Sequence, residues 1–339
     1  MCTAITYKTK DFYFGRNLDY EKSFGEKVVI TPRNYIYSFR HVSDIKHHYA
    51  MIGVACIYNN YPLYYDAVNE KGLCMAGLNY VGNAVYKPHI RDNINGNNIK
   101  NSKVSIENNV DEIASFEFIP WILSRCVSVK EARVLLDRIC IVDTQFSDTL
   151  PNAMLHWIMA DKDECIVIEC DKDGMHIYDN EVGVLTNNPS FKEQMFNLNN
   201  YMMLSPKEPM NLFSSKLSFN IYSRGMGAIG LPGDVSSQSR FVRATFNKMN
   251  LKSGVGEKES VASFFHILDS VKQIKGCNEI TEGVYEITLY SSCCNVSKGI
   301  YYYKTYEGLD VKSVDMYKEN LDGGEIIAYE IFYLENTKR

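Results

Sequence analysis

Short runs rich in Val, Ile, Tyr and Phe, separated by turn residues at close intervals, fill the N-terminal third of the chain. That pattern predicts strands over 2–7, 12–16, 27–31, 35–40, 50–58 and 72–80. From about 91 to 112 it disappears. Seven Asn lie between Asn93 and Asn109 with no apolar period, which is expected of an exposed loop. A helical pattern follows. Phe118, Ile119, Ile122 and Leu123 share one face, and Ser128-Val-Lys-Glu131 has the form of a capping box ahead of Ala132, Leu135, Leu136 and Ile139. Strand signals return at 155–160, 165–170 and 175–178, the last two joined by the tight-turn sequence Asp171-Lys-Asp-Gly174.

A second helical block starts near Ser190, where Ser190-Phe-Lys-Glu193 repeats the capping-box form, and continues around 237–249 and 259–274. Strands are expected at 284–291, 299–306 and 326–334. Blocks of strands alternating with blocks of helices, with hairpin-like links, predict an α+β protein of antiparallel sheets sandwiched by helices. The strict strand-helix alternation of a parallel sheet is absent. No convincing linker interrupts 1–339, so a single domain is expected.

Composition adds exclusions. The chain is 45% apolar and 23% charged with a formal net charge of -5, whereas a nucleic-acid or anionic-membrane partner needs a concentrated positive field. No charged-then-apolar leader is present, and no apolar stretch approaches the roughly 20 residues of a membrane span. A cytoplasmic protein without membrane insertion is therefore expected. The ten cysteines are scattered, form no CxxC pair, and accompany seven histidines that make no HxxxH or HExxH. Reduced thiols and no metal site are expected, with every cysteine except Cys2 serving as a small apolar core residue.

Gly225-Met-Gly227-Ala-Ile-Gly230 matches the dinucleotide fingerprint in letters, but Pro232-Gly233 follows and breaks the helix the motif requires. A loop is the expected reading. No P-loop and no GxSxG occur. Cys2 carries more information, because a small second residue permits removal of Met1 and leaves one residue with both a thiol and a free amine. An ordinary thiol has a pKa of about 8.5 and an α-amine one of about 7.7–8.0, so proton transfer between them is nearly isoenergetic. Arg16-Asn17-Leu18-Asp19 lies one hairpin away, with the turn near 9–11. Pairing of these strands would bring a cation that favours the thiolate and a carboxylate that orients the amine to the N-terminal residue.

With Met-Cys-Thr at 1–3 and Phe14-Gly-Arg-Asn-Leu-Asp-Tyr20, the chain also carries Val29-Ile-Thr-Pro-Arg-Asn-Tyr35, Asn69-Glu-Lys-Gly-Leu73, Ala76-Gly-Leu-Asn-Tyr80, Leu185-Thr-Asn-Asn-Pro189 and Ser239-Arg-Phe-Val242. In this order, through nearly the whole chain, these segments resemble the choloylglycine hydrolases, which comprise bile salt hydrolases and penicillin V acylases. The resemblance implies the αββα sandwich of N-terminal-nucleophile hydrolases and a catalytic set of Cys2, Arg16, Asp19, Asn79, Asn187 and Arg240. In that set Cys2 attacks the amide carbonyl, Arg16 and Arg240 surround the thiol, and Asp19 positions the amine. The Asn187 side-chain amide and the Asn79 backbone N–H serve the oxyanion. Without the resemblance, Asn187 reads as a turn residue and Arg240 as a helix-surface charge.

The resemblance further implies hydrolysis of glycine- or taurine-conjugated bile salts through a thioester, with no metal or organic cofactor, in a homotetramer. Asn79 favours the bile-salt branch, since penicillin V acylases tend to carry Tyr there. Tyr20, Phe24 and Tyr65, near the matching segments, are candidate linings of an apolar substrate pocket. The Asn-rich stretch departs from the family in its length. A penicillin V acylase or other N-acyl amide hydrolase with the same machinery, and a non-catalytic amphipath-binding protein, are the alternative readings.

Overall fold

The computed structural model describes residues 1–89, 110–252, 254–308 and 310–331. Most of the Asn-rich stretch, 91–109, lies outside the described residues. Two antiparallel sheets form the centre. The six-stranded sheet runs, edge to edge, through Val184–Leu185, Cys2–Lys8 (β1), Phe12–Tyr20 (β2), Ile287–Asn295, Ile300–Thr305 and Lys312–Asp315. The eight-stranded sheet runs through Gly174–Asp179, Cys165–Asp171, Leu155–Ala160, Cys74–Asn79, Tyr61–Asn69, Met51–Tyr58, Lys27–Thr31 and Ile327–Glu330.

Helices α1 (Phe118–Leu123) and α2 (Val129–Leu136) belong to one layer, and α3 (Phe191–Asn197), α4 (Ser237–Asn250) and α5 (Glu257–Asp269) to the other. One apolar core joins the facing sheets and extends through the six-stranded sheet to Phe241 of α4 and Phe264 and Leu268 of α5. A second core sets Trp121 and Ile122 of α1 and Ala132 and Leu136 of α2 against Trp157 and Met159 of the eight-stranded sheet. The α+β expectation of helices outside two antiparallel sheets therefore holds as a four-layer αββα sandwich. Strands covered on both faces read as nearly continuous apolar runs, and Cys2–Tyr7 is buried without alternation.

Several local expectations shift. β2 continues beyond Arg16 to Tyr20, so Arg16 to Asp19 lies within the strand. The segment 35–40 is not a strand; it makes one isolated bridge, Tyr37 to Ile45, while Tyr35, Tyr37 and Phe39 fill the second core. Tyr61–Asn69 was not anticipated, although its turn has Asn59 and Asn60 at φ 50° and 61°, as a two-residue hairpin requires. Ile139 begins a short strand, Ile139–Val142, parallel to Asp111–Ala114. Ser128 caps α2 by accepting from the Glu131 N–H, but the Glu131 carboxylate accepts from Val127, whereas Ser190 and Glu193 form the full reciprocal box on α3.

Gly225 to Gly230 forms a single 3-10 turn with no helix directly behind it, as the loop reading expected. All ten cysteines are free, and three depart from the core expectation: Cys140 and Cys165 are half-buried and Cys277 is exposed. No helix among the described residues is long and apolar enough to cross a membrane.

Candidate active site

The β1–β2 hairpin places Cys2 opposite Leu18 and Ala4 opposite Arg16. Alternation then sorts β2 into two faces. Arg16, Leu18 and Tyr20 point toward the eight-stranded sheet, where they and Cys2 line a cavity of about 230 Å³. Asn17 and Asp19 point toward the helices, Asn17 donating to the Leu268 carbonyl of α5 and Asp19 lying 4.0 Å from Arg240 of α4. A methyl group at Gly15 would run into the Ser292 carbonyl of the neighbouring strand, so the close approach of these strands requires glycine there.

The cavity is walled by Leu18, Leu63, Phe116, Phe146 and Leu155, with Gly77, Asn79 and Cys2 in the same lining. Tyr20, Phe24 and Tyr65, the three aromatic candidates from the sequence, all line it. Tyr20 and Phe24 pack with ring centroids 5.4 Å apart, and the Tyr65 hydroxyl lies 3.2 Å from Cys56 Sγ. An apolar chamber with a few polar groups at its floor is the usual form of a small-molecule site.

Arg16 is fully buried and crosses from one sheet to the other: its Nη1 donates to the carbonyls of Tyr65 at 2.9 Å and Gly77 at 2.6 Å. Burial works against its charge, but the acidic groups around it, Cys2, Tyr290, Asp66 and Asp19, outweigh burial and hold the guanidinium above its ordinary pKa. Asp66, on the facing sheet, is one of the two carboxylates in this group. It accepts from Tyr290 at 2.8 Å and Tyr301 at 2.5 Å, and burial raises its pKa while Arg16 opposes the rise. Neither Asp66 nor the two tyrosines stands out in the sequence, because nothing local announces that two strands of one sheet will meet a third from the other.

On the opposite side of Cys2, Asn187 is the junction. Its Oδ1 accepts from the Cys2 backbone N–H at 2.7 Å and from Arg240 Nη2 at 2.8 Å, and its Nδ2 donates to the Asn79 carbonyl at 2.8 Å. Arg240 Nη1 donates to the Cys2 carbonyl and, at 2.7 Å, to Thr3 Oγ1. Arg240 is in the first turn of α4 and wholly buried, not a surface charge. Burial lowers its pKa against the opposing pull of Asp19 and Cys2.

Asp19 accepts from Thr288 Oγ1 at 2.6 Å through Oδ1, while Oδ2 has no hydrogen-bond partner among the described residues. Burial raises the pKa of this carboxyl, with Arg240 and the terminal amine pulling the other way. With Met1 in place, the terminal amine donates to the Asp19 carbonyl at 2.8 Å and to the carboxylate of Glu286. Burial lowers the amine's pKa. All six residues of the expected catalytic set thus meet around the Cys2 thiol and backbone.

The chain matches, over residues 2–329, the profile of the linear amide C-N hydrolases, choloylglycine hydrolase family. It is 52% identical to a bile salt hydrolase/transferase of Lactiplantibacillus plantarum, covering 98% of this chain and 97% of that protein. Identity to the bile salt hydrolase/transferase of Clostridium perfringens is 35%, with 97% of each chain covered. A crystal structure of a conjugated bile acid hydrolase variant from Clostridium perfringens superposes with a TM-score of 0.85 at 35% identity, covering 97% of this chain and 96% of that one. The penicillin V acylase of Agrobacterium tumefaciens has a TM-score of 0.73 at 19% identity over 97% of this chain and 91% of its own, a likeness of fold.

Proposed function

From the premise that this chain belongs to the choloylglycine hydrolase family, we propose that it hydrolyses the amide of glycine- or taurine-conjugated bile salts, releasing bile acid and amino acid. The observation that carries the reading is Cys2 on the floor of an apolar cavity, between the cation of Arg16 and the amides of Asn79 and Asn187. A steroid fills the apolar chamber and its conjugated amide reaches the polar floor.

Loss of Met1 converts the Cys2 nitrogen from an amide into an amine. That nitrogen sits 2.7 Å from Asn187 Oδ1, and Asp19 Oδ2 is the open acceptor that completes its orientation. The amine takes the thiol proton, and Sγ attacks the amide carbon to form a C–S bond. Negative charge collects on the carbonyl oxygen. Asn187 Nδ2 carries two N–H groups, one given to the Asn79 carbonyl and the other serving the oxyanion together with the Asn79 backbone N–H. The C–N bond breaks as the Cys2 ammonium protonates the departing nitrogen. The same amine then takes a proton from water, whose oxygen cleaves the thioester and restores the thiol.

The chain is one domain, acts in the cytoplasm and assembles as a homotetramer. The tetramer is supported by the exposed apolar side chains of 202–222, among them Met210, Phe213 and Tyr222, each 80% or more accessible in the isolated chain. The decisive experiment measures amino-acid release from glycocholate and taurocholate by purified protein and by Cys2→Ser, with intact mass recording Met1. Release by Met1-free protein, absent in the variant, is expected. No release from Met1-free protein would overturn the proposal.

A further inference from the structure

His156 lies outside the set of groups around Cys2, yet it touches the neighbours of two of them. It is completely buried in the strand Leu155–Ala160. Its Nε2 lies 2.9 Å from the Thr186 carbonyl, which only accepts, so Nε2 is protonated and donates there. Its Nδ1 lies 2.9 Å from Glu169 Oε1, the same oxygen that accepts the Phe191 N–H at the start of α3. One face of the imidazole stacks on Tyr80, with centroids 4.4 Å apart and planes 5° from parallel.

One of these contacts is to the peptide that precedes Asn187, and another is to the side chain of the residue that follows Asn79. The Thr186 carbonyl belongs to the same rigid peptide as the Asn187 N–H, which donates to Ser237 Oγ at 2.8 Å. That peptide is held at its oxygen by His156 and at its nitrogen by Ser237. The Asn79 carbonyl, which takes Asn187 Nδ2, shares a peptide with the Tyr80 N–H, which donates to the Met154 carbonyl at 2.8 Å. Tyr80 is kept in place by the imidazole face. We infer that His156 is a positioning residue that holds Asn79 and Asn187 at a common spacing, by its edge through Thr186 and by its face through Tyr80, and so aligns the two oxyanion donors. Groups that orient an active-site donor contribute to rate without touching substrate. The inference rests on the proposed roles of Asn79 and Asn187.

Its test compares wild type, Asn187→Ala, His156→Leu and His156→Gln in glycocholate hydrolysis, together with the rate of Cys2 alkylation by iodoacetamide, a reaction that forms no oxyanion. His156→Leu is expected to lose at least about tenfold in kcat, with KM nearly unchanged and alkylation at the wild-type rate. His156→Gln, which retains a donor toward Thr186, is expected to recover most of the loss. Tyr80→Leu removes the stacking face and, set against Tyr80→Phe, which loses only the hydroxyl's hydrogen bonds with Asn83 and Glu169, gives a second reading should His156→Leu fail to fold; it too is expected to lower kcat and spare alkylation. Wild-type kcat in both His156→Leu and Tyr80→Leu, beside an inactive Asn187→Ala, would overturn the inference and leave the site reading standing. Wild-type kcat in Asn187→Ala would remove the donor assignment and the inference with it.

Discussion

The side-chain oxygen of Asn187 accepts the backbone N–H of Cys2 at 2.7 Å, joining a residue just after the tenth strand of the two central sheets, Val184–Leu185, to the first residue of β1. This contact fixes the amide of Asn187 with its nitrogen toward the Asn79 carbonyl. Replacing Asn187 by Ala removes the proposed oxyanion donor and one acceptor of the Cys2 nitrogen. The expected cost is about 2.7–4 kcal/mol of transition-state stabilisation, a fall in kcat of roughly 10²–10³. Steady-state kinetics on glycocholate checks it; a loss confined to KM would contradict the assignment.

Arg16 and Asp66 are opposite charges enclosed by the two sheets. Each favours the charged form of the other, so removing either withdraws part of the compensation for burying the one that remains. Arg16→Met and Asp66→Asn should each lower the melting temperature by several degrees, and the double variant should recover part of the sum. Additive losses would mean the two charges do not compensate one another.

Glu117 is wholly buried, with its oxygens accepting the N–H groups of Arg40 at 2.7 Å and Ala114 at 3.2 Å, and burial raises its pKa to about 7. An acid whose folded pKa is raised holds its proton more tightly when folded. Its contribution to stability is therefore fully present below about pH 4.5 and is lost as pH rises to about 7, a span worth on the order of 3 kcal/mol. Glu117→Gln does not titrate. The melting temperature of wild type relative to this variant should fall between pH 5 and 7 and level off above; a flat difference would disprove it.

Ala153 is exposed on a loop and lines the cavity. Ala153→Trp narrows the chamber without disturbing the core. KM for a bile salt should rise by roughly tenfold, about 1.4 kcal/mol, while alkylation of Cys2 by iodoacetamide stays at the wild-type rate. Equal inhibition of both reactions would place the effect at the thiol.

Phe213 and Tyr222 are each 82% accessible. If copies of the chain cover them, charges at these positions carry a desolvation cost in the assembly and none in the monomer. Phe213→Asp with Tyr222→Asp should shift the sedimentation coefficient from that of the proposed tetramer toward that of a monomer. An unchanged tetramer would put the interface elsewhere.

What the sequence disclosed follows from where its signals are local. The hairpin that returns Arg16 to Cys2 is legible because its turn and both strands lie within twenty residues. Its length was not, since Asn17 and Asp19 are poor strand formers until tertiary partners satisfy them: Leu268 and Ser291 take up Asn17, and Thr288 takes up Asp19. Tyr35, Tyr37 and Phe39 have strand composition but serve as core fillers in irregular backbone. The burial of Arg240 is invisible to helix periodicity, because its partners are Cys2 and Thr3 at the far end of the chain. His156, Asp66 and Glu169 share that difficulty. Each gains its meaning only when the sheets and helices are stacked.

Arg16 begins on one sheet and ends on two carbonyls of the other. Its length is fixed, so the gap between the sheets and the electrostatic setting of Cys2 vary together. The guanidinium works as a gauge block between the layers: a packing change anywhere in the sandwich that alters their separation alters the distance from cation to thiol. Activity is then a sensitive reporter of core packing, and substitutions remote from the cavity can tune the nucleophile without meeting substrate.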